Sequence, residues 1–301
     1  MTKILASRFV NVTKTWSNTA EGVVFTLRLP RIIGAVLVGS ALSLSGAAYQ
    51  GVFKNPLVAP DLLGVSSGAC VGASVAILLH LNSFGVQAMA FVAGILAVGL
   101  TLFIPRLIKN TNMTMLVLSG IIVKGIMDSV MGIIKYVADP ETELQSITYW
   151  QLGSLTKVLP KDLFTVGPVI VAASVIIFLL RWRINILSLG DREAKTLGVS
   201  VTVVRNFIII CATLLTASAV CISGTIGWIG LVIPHFARML TGPDNMKVIP
   251  ASILMGAIFM VVIDTLARAL TSVELPLSIL TGIIGAPFYI IILARQRMKL
   301  S

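Results

Sequence analysis

Four charged residues lie inside long apolar stretches of the chain. Lys124 and Asp128 are four positions apart, and so are Asp264 and Arg268. A charge that faces lipid costs at least about 2.5 kcal/mol, so each of the four needs a partner or a polar environment. Residues four apart share one side of a helix, which favours ion pairing within each helix. The alternative for Lys124 is a position that faces an aqueous pathway or a neighbouring subunit, and on the pathway it would meet an anionic solute.

A second group of charges forms an island between two apolar runs, at residues 188–205. Gly190 interrupts the chain, Asp191 is a good helix N-cap, and Glu193 lies in the first helical turn. Gly198 is placed to end the helix. The island therefore predicts a short polar helix that could dock in a groove of another protein, and a solvated loop is the alternative.

The sequence lacks the residue patterns of disulfide frameworks, metal sites and phosphate loops. Cys70, Cys211 and Cys221 lie in apolar runs and form neither a disulfide framework nor a metal-ligand spacing. His80 and His235 are far apart in the sequence, which gives no support to a histidine-based metal site. The chain also has no Gly-x-x-x-x-Gly-Lys-Ser/Thr motif, so we expect no ATP binding of the phosphate-loop type.

The elements that must position these residues are membrane-spanning helices. The chain is 56% hydrophobic and 12% charged, with a mean hydropathy of +0.98. A soluble domain has roughly twice that charged fraction. The net charge of +11 is attributed to basic residues of cytosolic loops and not to nucleic-acid binding. The sequence therefore predicts an all-α, polytopic membrane bundle.

The hydropathy pattern predicts nine membrane spans. They are residues 32–53, 62–81, 84–104, 115–137, 163–180, 203–223, 226–240, 248–270 and 275–294. With the 188–205 island in the cytosol, most basic residues from Arg106 onward are internal and the acidic loop 139–143 is external. Residues 1–30 then form an external N-terminal segment, and residues 31–301 form the membrane domain, which includes a cytosolic segment at residues 188–200.

Small residues recur at every fourth position in two of the spans. These residues are Ala35, Gly39, Ser43, Ala47 and Gly51 in the first span and Gly64, Gly68, Gly72 and Ala76 in the second. Such spacing forms a flat helix face that lets backbones approach closely in lipid. We expect static packing at both faces; a moving helix interface is the alternative.

Five ordered blocks of the sequence resemble the FecCD-type permeases of ABC importers. The blocks are residues 28–69, which start with Arg-Leu-Pro-Arg, 150–154, with Trp-Gln-Leu-Gly-Ser, 189–198, 224–238, with Val-Ile-Pro-His-Phe-Ala-Arg at their end, and 264–288. The resemblance runs from about residue 28 to the C-terminus. It implies a permease for iron-siderophore complexes, haem or cobalamin in a prokaryotic cytoplasmic membrane.

The resemblance also implies partners. A second permease subunit, either identical or a sister chain, two ATPase subunits inside and a substrate-binding protein outside complete such an importer. ATP and Mg²⁺ belong to the ATPase subunits, so the resemblance implies that this chain is not an enzyme and has no catalytic residues and no cofactor.

Particular residues take roles from the same resemblance. Those implied to contact the ATPase are Asp191, Arg192, Glu193, Ala194, Leu197 and Gly198. Arg28, Arg31 and Arg268 are implied to lie at the outer face, where they pair with glutamates of the binding protein. For Arg28 and Arg31 the alternative is snorkelling at the membrane interface.

Two features depart from the family pattern. The span 115–137 resembles the helix that lines the pathway, where family members have small or mildly polar residues instead of Lys124 and Asp128. Family members usually have ten spans, and the expected first helix is missing before residue 28. We therefore expect that the sequence record begins late, through a misplaced start or a truncation.

A carrier driven by an ion gradient is the rival function. It would transport a small anionic solute and use Asp128 or Asp264 as a proton or sodium site. The coupling-type island at residues 188–205 and the lack of a clear inverted repeat argue against it.

Overall fold

The structure, a computed structural model, describes residues 16–110 and 112–298, with side chains as far as residue 290. The described part is helical and contains no strand. Its helices are α1 (Asn18–Phe53), α2 (Val65–Leu78), α3 (Ser83–Leu107), α4 (Met113–Val137), α5 (Glu143–Leu152), α6 (Pro160–Leu189), α7 (Asp191–Thr196), α8 (Val201–Ser223), α9 (Ile229–Thr241), α10 (Asn245–Ala269) and α11 (Leu277–Met298). The all-α prediction is confirmed.

Six of these helices are long and apolar enough to cross a membrane: α1, α3, α4, α6, α8 and α10. Helix α2, helix α9 and the Leu277–Ile290 part of α11 are shorter apolar helices. Together they correspond one by one to the nine predicted spans. The predicted seventh span is indeed short, because α9 begins only after the irregular residues 224–228.

The first helix begins earlier than predicted. The span was predicted to begin at residue 32, but α1 is already helical at Asn18. Its Val23–Arg28 stretch is a π-helix in which the Leu29 amide bonds to the carbonyl of Val24. Proline disrupts the regular helical bonding that precedes it, and this wider turn lies just before Pro30. Residues 1–15 of the predicted external segment lie outside the described residues.

Helix α1 lies at the centre of the bundle. It packs against α6, α8, α9 and α10, and every residue from 38 to 53 is buried. A Cβ atom on Gly39 would lie 2.2 Å from the carbonyl oxygen of Gly256 in α10. A Cβ atom on Gly46 would lie 1.8 Å from the carbonyl oxygen of Gly230 in α9. The small face of α1 is therefore a tightly packed contact between helix backbones.

The second small face packs in the same way. Gly68 and Gly72 of α2 face α3, and a Cβ atom on Gly72 would lie 2.3 Å from the carbonyl oxygen of Met89. Because α2 is short, this close contact with the longer α3 is what positions it in the bundle.

Replacement of Gly46 by alanine tests the central contact. We expect Gly46→Ala to destabilise the fold by about 1–3 kcal/mol, since the added methyl group forces α1 and α9 apart. Gly99 of α3 is the matched control, because a Cβ atom there meets nothing within 4 Å. Thermal unfolding in detergent should show a lower midpoint for Gly46→Ala and an unchanged or higher midpoint for Gly99→Ala. Equal midpoints would contradict the packing account.

Candidate functional site

A cavity of about 370 Å³ lies between the first turns of α2 and α9 and the middle of α4. The 3₁₀ turn Pro60–Leu63 forms part of its wall. Its polar lining includes Asp61, Ser66, Ser67, Lys124, Asp128 and Gln151. Lys124 is close to the midpoint of the 25-residue helix α4, so the cavity brings ionic groups to the middle of the bundle. Both residues predicted to line a pathway, Lys124 and Asp128, face this cavity.

The partner of Lys124 differs from the one predicted. Its ammonium nitrogen lies 3.2 Å from Oδ2 of Asp61, and the other oxygen of Asp61 accepts a hydrogen bond from the Ser66 amide at 3.2 Å. The prediction of a Lys124–Asp128 pair within α4 is therefore wrong. The reason is tertiary: the turn that carries Asp61 lies against α4, where a Cβ atom on Gly120 would be 2.2 Å from the Leu62 carbonyl oxygen.

A second ionic cluster joins α1 to α10 and to the loop after it. Arg31 donates from Nε to Asp264 at 2.9 Å, and its two terminal nitrogens donate to Glu274 at 2.9 and 2.8 Å. The Asp264 side chain is only 2% exposed, whereas that of Glu274 is 40% exposed. The predicted Asp264–Arg268 pair within α10 is also present, at 3.4 Å. The hydropathy pattern did not reveal Arg31 as the main partner of Asp264.

The three arginines implied at the outer face therefore differ in their surroundings. Arg31 is enclosed, with 11% of its side chain exposed and both of its donor edges occupied by carboxylates. Arg28 is exposed, and one third of the Arg268 side chain is exposed. Arg28 and Arg268 are thus the two that present charge outward, while Arg31 holds the helices together.

Helix α7 confirms the predicted short helix inside the polar island. Gly198 has a φ of +76°, and its amide bonds to the Lys195 carbonyl while the Val199 amide bonds to the Ala194 carbonyl. This is the bonding pattern of a glycine-terminated helix. The N-cap is Gly190 rather than Asp191, and Asp191 is the first helical residue.

The residues of α7 divide into a packing side and an exposed side. Ala194 is fully buried in the main hydrophobic core, so it anchors α7 and does not present a surface to a partner. Arg192, Glu193 and Leu197 are exposed, and the Leu197 side chain lines a groove of about 570 Å³. Apolar groove residues beside it include Trp182, Leu189 and Pro243.

Asp191 connects α7 to two other elements. It accepts a hydrogen bond from Arg205 of α8 at 2.7 Å, and the Lys54 ammonium lies 3.5 Å away. Partial burial opposes ionisation of Asp191, but Arg205 and then Lys54 hold the pKa of this carboxyl below its ordinary value. Asp191 therefore stays ionised, and this contact stays intact, at neutral pH.

Sequence reasoning missed a buried polar contact at the end of α1. The Gln50 side chain is 3% exposed, donates to the Val58 carbonyl at 3.2 Å and accepts a hydrogen bond from Arg238 of α9. The available signal was a single glutamine within an otherwise apolar span. Among the described residues, no group of three or more His, Cys, Asp or Glu side chains is placed to hold a metal ion.

The chain forms an apolar helical bundle with a polar cavity at mid-span and a fixed polar helix at one end. These features are typical of a multi-pass membrane protein of the transporter class. The model of the FecCD transport family matches residues 2–295. The chain belongs to this family of ABC transporter permease subunits, which are not themselves catalytic. This assignment decides against the carrier driven by an ion gradient.

Relatives and solved structures agree with the assignment. The chain is 41% identical over 275 residues to a Helicobacter pylori protein named as an iron chelatin transport system permease protein, covering 91% of this chain and 83% of the relative. It is 39% identical over 270 residues to the molybdate import system permease protein MolB of Haemophilus influenzae, and the match covers 89% of this chain and 80% of the relative. A structure described as an inward-facing conformation of a metal-chelate type ABC transporter matches with a TM-score of 0.88 and 36% identity, covering 95% of this chain and 91% of that one.

The Arg31 cluster gives a second testable prediction. We expect Asp264→Asn to destabilise the fold by about 3–5 kcal/mol, because it leaves the enclosed Arg31 without its buried partner. Glu274→Gln should cost about 1 kcal/mol or less, since Glu274 is partly exposed and water replaces the lost contact. Thermal unfolding of the two variants in the same detergent checks this order. A larger loss in Glu274→Gln would show that the exposed carboxylate is the more important partner.

Proposed function

We propose that this chain is one of two permease subunits of an ATP-driven importer in a prokaryotic cytoplasmic membrane. It works with two ATPase subunits on the cytosolic side and a substrate-binding protein outside. Iron-siderophore complexes or related metal chelates are the proposed cargo, and the iron chelatin relative supports this class. The molybdate relative is named for a chemically different cargo, so membership of the family does not by itself fix the cargo.

The position of α7 carries the proposal. Lys54, which faces Asp191 of α7, is 23 positions after Arg31 on the same helical path. At 1.5 Å per residue this places the two ends about 35 Å apart, more than the roughly 30 Å hydrocarbon core. Helix α7 and the Arg31 cluster therefore lie at opposite faces of the membrane. A short exposed helix beside an apolar groove suits docking of the ATPase at one face.

The contact surface for the ATPase follows from exposure. Arg192, Glu193 and Leu197 supply the outward-facing side chains, and Asp191 is held at the base of the helix by Arg205. Gly190 and Gly198 fix where α7 begins and ends, and Ala194 fixes its depth in the bundle. Docking of this kind converts the ATPase cycle into a movement of a rigid helix.

At the opposite face, Arg28 and Arg268 form the proposed docking contacts for glutamates of the binding protein. Their exposure allows them to steer an acidic surface into register. The role of Arg31 is indirect, because it positions α10 and the Glu274 loop that carry this surface.

The cavity is the proposed part of the translocation pathway. Lys124 and Asp128 face it, and the cargo passes them as the ATPase subunits change which side of the membrane is open. The permease thus contributes a fit that differs between two conformations, while bond chemistry takes place on the partner subunits.

The docking surface is tested by a charge placed in the groove. We expect Leu197→Asp to weaken binding of the ATPase subunits at least about tenfold, since it puts an unpaired carboxylate in an apolar contact. The readout is the amount of ATPase that co-purifies with the permease. Leu79→Asp is the matched control, because Leu79 is equally exposed but lies in the turn after α2 at the opposite face. Unchanged co-purification with Leu197→Asp would refute the proposed surface.

A further inference from the structure

Residues 54–61 run from the end of α1 into the first half of the 3₁₀ turn Pro60–Leu63. This segment contacts the cytosolic helix α7 at one end and lines the cavity at the other. Lys54 lies 3.5 Å from Asp191 of α7, and Asp61 lies 3.2 Å from Lys124 in the cavity wall. We infer that this segment, here named the coupling turn, transmits movements of α7 to the cavity, with Lys54 and Asp61 as its positioning residues. The inference rests on the proposed function and adds the residues that carry its coupling.

The coupling turn is built as a stiff unit. Asn55 binds it locally, because its side-chain oxygen accepts from the Leu57 amide at 2.9 Å and its carbonyl accepts from the Val58 amide at 3.3 Å. Pro56 and Pro60 fix two backbone angles within the same eight residues. A segment with this many local constraints moves as a body and does not absorb a displacement at one end.

The turn also presses on the start of α9, which lines the cavity. A Cβ atom on Gly230 would lie 2.3 Å from the ring of Pro60, so the two elements are in direct contact. Gln50 bonds both to the Val58 carbonyl of the turn and, at 3.4 and 3.3 Å, to the carbonyls of Gly230 and Leu231. A shift of the turn therefore reaches α9 through packing and α4 through the Asp61–Lys124 pair.

Trp228 shows that this start of α9 is held under backbone strain. Its φ of +70° is rare for a residue other than glycine, and its side chain packs against Gly285 of α11. Strained positions persist only where their surroundings enforce them, and they occur often at elements that switch conformation. The coupling turn thus acts on a part of the cavity wall that is suited to two arrangements.

The contact between Lys54 and Asp191 is suited to a moving joint. About one third of the Lys54 side chain and half of the Asp191 side chain are exposed. Exposed ion pairs contribute little to folding stability, so Lys54→Met should fold like the parental protein. Asp191 retains Arg205 as its partner in that variant, which keeps α7 in place for the ATPase subunits.

A cysteine probe in the cavity tests the inference without knowledge of the cargo. Ser67 lines the cavity, so the probe is Ser67→Cys. The three natural cysteines, Cys70, Cys211 and Cys221, are replaced by alanine, and the resulting protein is the parental protein of the comparison. The permease is purified with its ATPase subunits and reconstituted in liposomes. The rate at which a hydrophilic maleimide modifies the probe is then measured without nucleotide and with ATP plus vanadate.

Coupling between two sites of a protein usually changes the affinity at one of them by about 5–150-fold. We therefore expect nucleotide to change the rate of maleimide modification in the parental protein at least about fivefold. In Lys54→Met this change should fall below about twofold although ATP hydrolysis continues. Lys109→Met is the matched control, because Lys109 is exposed at the same face in the turn between α3 and α4, and it should keep the parental response.

Three results would overturn the inference. An undiminished nucleotide response in Lys54→Met would show that the coupling turn transmits nothing. Loss of the ATPase subunits from that variant would place Lys54 in the docking surface instead. A parental rate that does not respond to nucleotide would remove the proposed ATP-driven function itself, and the inference with it. The first two results leave the proposed function intact, so the failures are distinguishable.

Discussion

The carbonyl oxygen of Gly230 occupies the space that a side chain on Gly46 would need, and Gly256 stands in the same relation to Gly39. Four helices surround α1, and such close approach is possible only where the backbones carry no side chain. In lipid, where no hydrophobic force draws helices together, this backbone contact supplies the packing energy. The bundle therefore depends on the glycines of its central helix.

The polar features are arranged around this contact. Because α9 touches α1 at Gly46, the first turn of α9 lies beside the coupling turn. The cavity forms where these two elements meet α4. Lys124 in the cavity wall pairs with Asp61, and Arg238 of α9 donates a hydrogen bond to Gln50. Near the end of α1 that is far from Lys54, Arg31 forms an ion pair with Asp264. These side chains are thus paired with groups on other elements of the bundle.

Sequence patterns predicted what depends on local chemistry. All nine apolar helices follow from hydropathy, and the end of α7 follows from Gly198, whereas its N-cap is Gly190 and not the predicted Asp191. The partner of Lys124 could not be predicted in this way, because Asp61 is 63 positions away and its place depends on how the turn packs against α4. The buried side of α7 was missed for another reason: six residues are too few for periodicity to show that Ala194 points inward. The early start of α1 was missed because hydropathy locates the apolar stretch from residue 32 and not the more polar helical turns that precede it.

This chain serves a transporter driven by ATP. Native mass spectrometry of the permease, extracted from membranes of its host with its partners, tests that claim most directly. We expect a complex of two permease chains with two ATPase subunits, which loses its ATPase subunits before the permease chains separate. A permease that is found only alone or only with copies of itself, under conditions that preserve other ABC transporters from the same membranes, would contradict it.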